Sequence, residues 1–348
     1  MKLVTIGIVF FKEEKYLPYM IFSLLQQDYP NIEILIKDNS EKNQVNNFFK
    51  KHFPEILLNK KIKIFIGENN KHSRGHNELI NKMKGDYYVC ASSDMYYEKN
   101  VITEIIKQLE KSPPGYGGAT CKIRYWDFEK LESVKIDKKF SLENQAKLIE
   151  SSKTNIIDSC GICTSDYLYA FDLGQGEEDQ GQYDTNYEIF GASGALVVFR
   201  KEVLEKIALV KKLGSKEYFH PKLHYKNDVE ISWRCKVHGY RFLFVPQKLV
   251  YHARKVSSFS KKFSNSIFYK IFSKNKFTKK IYVMLFSRSS KSEFVKISSY
   301  QGYFFIFKNY FQYLNFYSKC KALLFYIMII FYLVCFEFSV FKKVRSFI

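Results

Sequence analysis

The first hundred residues switch repeatedly between two hydrophobic periods, and that alternation limits the folds open to the chain. Val4–Phe11 is an apolar run of strand length. Glu14–Gln27 follows, with Leu17, Ile21, Leu24 and Leu25 at helical spacing. Ile32–Ile36, Lys61–Ile66 and Tyr87–Ala91 are further strand-length runs. A helical pattern covers Ser73–Met83, and another covers Val101–Leu109 before Ser112-Pro113-Pro114-Gly115 stops it. Buried strands alternating with amphipathic helices predict βαβ units and a mostly parallel central sheet flanked by helices, an α/β fold. The apolar start is short and runs into Lys12-Glu13-Glu14-Lys15 with no small-residue cleavage site, so it reads as a first strand rather than a signal peptide. From Tyr116 to Tyr187 the pattern loosens, and the glycine-rich, acidic stretch 174–184 reads as a loop. Regular structure resumes with a strand at Ala195–Phe199 and helices at Lys201–Leu209 and Asp228–Val237. Two strands follow, Arg241–Val245, which Pro246 ends, and Lys248–Tyr251.

Polar residues at the ends of these elements carry the chemical signal. Asp94, in Ser92-Ser93-Asp94, follows the Tyr87–Ala91 strand, and α/β sheets bind ligands at the carboxyl ends of their strands. Asp228 opens a helix and His252 closes a strand. Two carboxylates and a histidine are the parts needed to hold a divalent cation and to deprotonate an acceptor. Each also has a plainer reading. Asp94 suits a turn, Asp228 a helix N-cap, Asp38 an Asx turn with Asn39 and Ser40, and His252 a satisfied structural histidine. Arg234 can meet a phosphate or pair with Glu230 one turn back.

Charge is unevenly spread. The net charge is +20, and residues 254–348 hold 18 Lys and Arg against two acids, a net +16. A basic, aromatic tail on a nearly neutral body points to an anionic partner, either membrane headgroups or nucleic acid. Ala322–Phe336 is uncharged, and the stretch extends to Phe341 through Glu337 alone. That is borderline for a crossing, which needs roughly 20 apolar residues. The run lies in or on a membrane interface, crosses it, or packs as a core helix. A nucleic-acid partner fits such a run poorly, and the body lacks a basic stripe. The seven cysteines include one close pair, Cys160-Gly161-Ile162-Cys163, a weak zinc signal; they read as ordinary reduced thiols.

Several segments, in order, resemble the family 2 glycosyltransferases of GT-A fold, in particular the rhamnosyltransferase-like branch. They are Glu13-Glu14 with Leu17, Gln26-Gln27-Asp28-Tyr29-Pro30, Leu35-Ile36-Lys37-Asp38-Asn39-Ser40, Asn69-Asn70 and Gly75-His76-Asn77. Phe190-Gly191-Ala192-Ser193-Gly194-Ala195, Arg200-Lys201-Glu202-Val203, Asp228–Arg234, Gly239-Tyr240-Arg241, Val245-Pro246 and Val250-Tyr251-His252 complete the set. The resemblance covers residues 1–257, a GT-A domain, and leaves 258–348 as a basic aromatic extension that associates with membrane. It implies an inverting transfer of a sugar, rhamnose first, from a nucleotide-diphosphate donor to a lipid-linked or polysaccharide acceptor at the cytoplasmic membrane face. By resemblance Asp228 is the general base, and Asp94 with His252 holds Mg²⁺ or Mn²⁺. Phe11, Glu13, Asp38, Arg74, Asn77, Ser93 and Arg234 surround the donor nucleotide. The chain departs from the family pattern at Phe10-Phe11-Lys12, where Thr-Tyr-Asn is usual. It departs again at Ser92-Ser93-Asp94, with one carboxylate, and at Asn227, where a Glu is usual. These departures also fit a relative that binds sugar nucleotide with little or no turnover.

Overall fold

Short apolar runs rich in Ile and Val become strands because branched side chains pack well on a pleated surface. In the computed structural model they are β1 (Val4–Phe10), β2 (Ile32–Asp38), β3 (Ile62–Ile66) and β4 (Tyr87–Ala91). All four are parallel, in the order β3-β2-β1-β4. The connections carry α1 (Leu17–Leu25), α2 (Gln44–His52) and α3 (Lys71–Ile80). Beyond β4 come β5 (Met95–Tyr97), α4 (Val101–Lys111), β6 (Tyr116–Trp126), α5 (Ala146–Ser152) and β7 (Lys153–Ser159). Then come β8 (Glu188–Ile189), β9 (Leu196–Arg200), α6 (Lys201–Ile207), α7 (Asn227–Val237) and β10 (Arg241–His252). In this half β9 runs antiparallel to β4 and β6, β10 lies parallel to β6, and β5 and β7 pair antiparallel with β10 and β6. Apolar clusters cover both faces. One packs Ile6 and Ile8 with Leu17, Ile21, Phe49 and Ile105; the other packs Leu35 and Phe199 with Leu79, Leu204 and Ile231.

The described residues are 1–166, 168–185, 188–210, 214–254 and 293–345. They divide into two units: Met1–Cys163, Phe171–Lys222 and Asn227–Lys255 in the first; Thr164–Ala170, Leu223–Lys226 and Val256–Ile348 in the second. The boundary expected at 257/258 lies outside the described residues.

Three elements differ from the sequence expectation. The chain that loosened after Tyr116 contains β6, an 11-residue strand buried along almost its whole length. Pro246 does not end its strand. β10 runs on to His252, and its pairing with β6 shifts register between Val245 and Lys248, an irregularity of the kind that admits a proline lacking an N–H. Helix α2 was not expected; Val45, Phe48 and Phe49 form its buried face.

β6 carries two cations, Lys122 and Arg124, into the interior. Lys122 is fully buried, and its ammonium meets Asp179 at 2.8 Å and also Asp184. Arg124 reaches the other oxygen of Asp179 through Nε at 3.0 Å and Nη2 at 2.6 Å. Asp179 and Asp184, two of the four acids of the 174–184 loop, are therefore counter-charges for a strand some 55 positions earlier in the chain.

In the second unit, α8 (Glu293–Tyr310), α9 (Phe316–Phe336) and α10 (Phe338–Val344) pack around Tyr303, Phe325, Tyr326, Ile329, Leu333 and Val344. Asn315 caps α9 by accepting from the Ser318 N–H at 2.8 Å. One half of α9 is covered by this packing. On the other, Leu324, Ile327, Phe331 and Val334 form an open stripe at helical spacing. Among the described residues this is the one helix long and apolar enough to cross a membrane.

Asp179→Ala leaves Lys122 and Arg124 buried without their shared counter-charge, so we expect a loss of about 3–5 kcal/mol of unfolding free energy in urea. Asp184→Ala, at a half-exposed carboxylate, should cost under about 1 kcal/mol.

Candidate active site

The site forms where β4 leaves the sheet. Tyr87–Ala91 is buried throughout, and at Ser92 the backbone turns out, its N–H donating to the Ala195 carbonyl at 2.9 Å. The chain then re-enters as β5, which pairs with the end of β10 so that Met95 faces His252. Ala253 N–H donates to the Asp94 carbonyl at 2.9 Å. This pairing brings Asp94 and His252 together across 158 positions: His252 Nε2 lies 3.2 Å from Asp94 Oδ1. The contact has ion-pair distance but not hydrogen-bond alignment, and Asp94 Oδ1 is buried with no hydrogen bond. On the other side of the ring, Nδ1 meets Asp158 Oδ2 at 2.7 Å. Asp158 stands near the end of β7, almost fully buried, with Arg254 Nη1 at 3.6 Å from its second oxygen. Arg254 Nη1 also lies 3.9 Å from Asp172, whose carboxylate accepts from the Ser159 hydroxyl at 2.9 Å.

The charges follow from this packing. Burial disfavours the charged form of His252, but Asp94 and Asp158 on its two nitrogens outweigh that and carry its pKa up to about 10. Burial pushes the Asp94 carboxyl up, and the charge of His252 more than reverses it, to about 2. Glu13 keeps solvent access, yet crowding by the protein and then the charge of Asp94 push it up to about 7; its carboxylate accepts from Ser93. Asp172 is raised to about 6, by burial first and against the pull of Arg254.

A divalent cation fits Asp94 and His252. An orphaned carboxylate oxygen and an imidazole nitrogen face each other at ligand-to-ligand spacing. Two protein donors suit an ion that takes its remaining ligands from substrate phosphates and water.

Asp228 opens α7. Its Oδ1 accepts from Val229 N–H at 2.8 Å and its Oδ2 from Gly194 N–H at 3.3 Å. The half-buried carboxylate keeps lone pairs beyond those two bonds. Asn227 fixes the start of the helix: its Oδ1 accepts from Asp228 N–H, and its amide nitrogen contacts Ser73 Oγ and His72 Nδ1, each at 3.0 Å. The 193–195 turn thus binds the end of β4 through Ala195 and the start of α7 through Gly194.

Other expected residues are engaged within the protein. Asp38 is fully buried. Its two oxygens accept from Ser40 N–H and Val45 N–H, both at 2.9 Å, so the carboxylate expected at the nucleotide base forms the Asx turn that starts α2. Asn77 is likewise committed, donating to Phe219 O and accepting from Tyr218 and Phe219 N–H. Arg234 pairs with both oxygens of Glu230 and donates to the Ile207 and Tyr218 carbonyls; the pairing reading, not the phosphate reading, is the one found. Phe11 and Arg74 are exposed and Ser93 is buried beside Glu13. Sequence reasoning missed Asp158, Asp172 and Arg254. The first two lie in the stretch without periodicity, and Arg254 was counted with the tail.

Among the described residues His72, His76 and Cys90 also bring ligand atoms within 4.8 Å of one another. Each is already engaged: His76 with the Tyr88 hydroxyl at 2.7 Å and with Cys90 Sγ at 3.3 Å, His72 with Asn227. They form a polar seam between α3, β4 and α7. All seven cysteines are free thiols.

The family model described as glycosyl transferase family 2 matches residues 5–208. The chain belongs to this family. A transferase of Methanococcus voltae, named as a dolichyl N-acetyl-alpha-D-glucosaminyl phosphate 3-beta-D-2,3-diacetamido-2,3-dideoxy-beta-D-glucuronosyltransferase, is 31% identical over 135 residues. The match covers 35% of this chain and 40% of that protein's length. The fold is GT-A. A mannosyltransferase from Pyrobaculum calidifontis, solved with GDP-Man and Mn²⁺, superposes over 99% of this chain and 74% of its own with a TM-score of 0.50 at 13% identity. GalNAc-T7, solved with UDP, GalNAc and Mn²⁺, superposes over 72% of this chain and 43% of its own with a TM-score of 0.50 at 15% identity.

Arg234→Met should act on stability rather than on the donor. It leaves Glu230 buried without its guanidinium, and we expect a loss of about 3–5 kcal/mol in urea unfolding. Sugar-nucleotide affinity of the folded fraction, measured calorimetrically, should stay within several-fold.

Proposed function

We propose that this chain is an inverting glycosyltransferase. It moves a sugar, rhamnose being the first to test, from a nucleotide-diphosphate donor to a lipid-linked or polysaccharide acceptor in cell-surface glycan synthesis. The observation that carries the reading is the β5–β10 pairing that sets Asp94 against His252, with Asp228 held on the neighbouring 193–195 turn. Family membership supports it, and so does the lipid-phosphate acceptor in the name of the Methanococcus relative.

Asp94 and His252 would hold Mg²⁺ or Mn²⁺, which would supply positive charge for the leaving diphosphate. The Mn²⁺ in the two solved neighbours agrees with this assignment. Glu13 and Ser93, beside Asp94, and the exposed Phe11 and Arg74 are the first donor contacts to test, before the internally bonded Asp38, Asn77 and Arg234. Asp228 takes the proton of the acceptor hydroxyl. The oxygen bonds to the anomeric carbon from the face opposite the leaving group, the carbon–oxygen bond to phosphate breaks, and nucleoside diphosphate departs. The configuration inverts, with no covalent enzyme intermediate.

Asp228→Asn keeps the shape and loses the proton acceptor. We expect transfer, read as released nucleoside diphosphate with native lipid acceptor, to fall about 10²–10⁴-fold. Donor binding should hold within several-fold. Near-normal turnover in this variant removes Asp228 from the role. A wild type that binds donor without turnover would instead favour the binding relative.

The tail places the enzyme at the cytoplasmic membrane face. The open stripe of α9 supplies apolar area at roughly 25 cal/mol per Å². Lys319, Lys321, Lys342, Lys343 and Arg345 flank it, each worth roughly 1 kcal/mol at an anionic surface. Full-length protein should therefore float with mixed phosphatidylcholine–phosphatidylglycerol vesicles, and high salt should release it only partly. The triple variant Leu324→Glu, Ile327→Glu, Phe331→Glu should stay in solution; if it floats equally well, α9 does not hold the membrane.

A further inference from the structure

We infer that Asp158 is a positioning residue for the metal ligand His252. The inference rests on the assignment of a divalent cation to Asp94 and His252. A ligating imidazole has two nitrogens, and the one away from the metal needs a fixed acceptor if the ring is to keep its tautomer and aim. Here Nε2 faces Asp94 Oδ1 at 3.2 Å and Nδ1 donates to Asp158 Oδ2 at 2.7 Å, so the ring is held from behind by a carboxylate.

Three features argue that this carboxylate belongs to the site. Asp158 is almost fully buried, and a buried carboxylate is costly unless partnered. Its partners point one way: His252 on one oxygen; Arg254 at 3.6 Å and the Gln175 amide at 3.4 Å on the other. It also sits at a β-bulge: β7 is paired with β6 at Arg124↔Ile157 and Ile123↔Ser159, and Asp158 is the extra residue between them, a local break in the ladder that re-aims a side chain. Its charge raises the electron density of the ring, and the strand pairs on either side of the bulge fix where its carboxylate points. Asp158 never touches substrate; it acts through His252.

The test is Mn²⁺ binding by the full-length protein, read by the electron paramagnetic resonance of free Mn²⁺, alone and with UDP, GDP or dTDP. Asp158→Asn should weaken Mn²⁺ binding about 10- to 100-fold. Asp158→Glu, which keeps the charge, should recover part of the loss. His252→Ala should weaken binding at least as much, and adding Asp158→Asn to it should change nothing further. Thermal unfolding of each variant separates lost fold from lost affinity. Unchanged Mn²⁺ affinity in Asp158→Asn, or an equal loss in the His252→Ala background, overturns the positioning role. Unchanged affinity in Asp94→Ala and His252→Ala overturns the metal assignment itself, and this inference with it.

Discussion

Lys122 and Arg124 stand on β6 inside the catalytic unit, and Asp179 is the charge they share. Two cations in a sheet interior cannot be left bare, because the desolvation cost is several kcal/mol per ion. The 174–184 loop is therefore obliged to fold down over β6, and its backbone then joins β7. Ile157 N–H donates to the Glu177 carbonyl, and Asp179 N–H to the Asn155 carbonyl, each at 2.8 Å. Asp158 stands one residue before the end of β7, Asp158 holds His252, and His252 faces Asp94. The expensive charge cluster and the candidate metal site are two ends of one chain of contacts. A buried ion pair is weak evidence for net stability, but it fixes a unique arrangement of the segments that supply the ions.

The opposite wall is built more simply. Asp228 is set by two backbone N–H groups, one from its own helix and one from Gly194. Asn227, where the family usually has Glu, spends its amide on Ser73, His72 and the Asp228 N–H. The departure is thus absorbed into the joint between α3 and α7, and the carboxylate beside it keeps its place. Glu230 and Arg234 complete the helix as an internal pair. Glu230 is two residues from Asp228 and so faces another way on the helix, and Arg234 lies one turn beyond Glu230 on that same face.

What was legible in the sequence was whatever hydrophobic period alone determines. The parallel half, β1 to β4, was readable to within about two residues because its strands are short, mostly apolar runs between clear helical patterns. β6 was not, because its period is broken by Gly117 and Gly118 and by two cations that become acceptable only when Asp179 arrives. Asp94, Asp228 and His252 were visible as polar residues at the ends of legible elements. Asp158 was invisible, since nothing near it in sequence says that it lies in a strand. Asp38 was read towards the donor; in the structure each of its oxygens also accepts from one local amide. A single sequence shows that a carboxylate is present, not how many of its lone pairs remain.

The backbone offers independent support for the carboxyl edge of the sheet as the working edge. Non-glycine residues with positive φ are uncommon and cost of order 1–3 kcal/mol where the surrounding structure must enforce them. In the first unit these are Lys12 at φ 60°, Glu41 at 63°, Asn43 at 53° and Lys71 at 68°. Lys12 follows β1, Glu41 and Asn43 follow β2, and Lys71 opens α3 after β3. Asparagine tolerates the left-handed region; lysine and glutamate gain nothing locally from it. All four therefore lie past the carboxyl ends of adjacent parallel strands, where α/β sheets receive ligands. Loops without a task relax such torsions or place glycine there, as this chain does at Gly115, Gly214 and Gly239. The strain lies next to the carboxylate that turns the chain into α2 and next to the residues assigned to the donor. At Lys12 it coincides with the point where the family's usual Thr-Tyr-Asn is missing. The altered side chains at that point are accordingly carried on a loop whose conformation is held by the rest of the sheet.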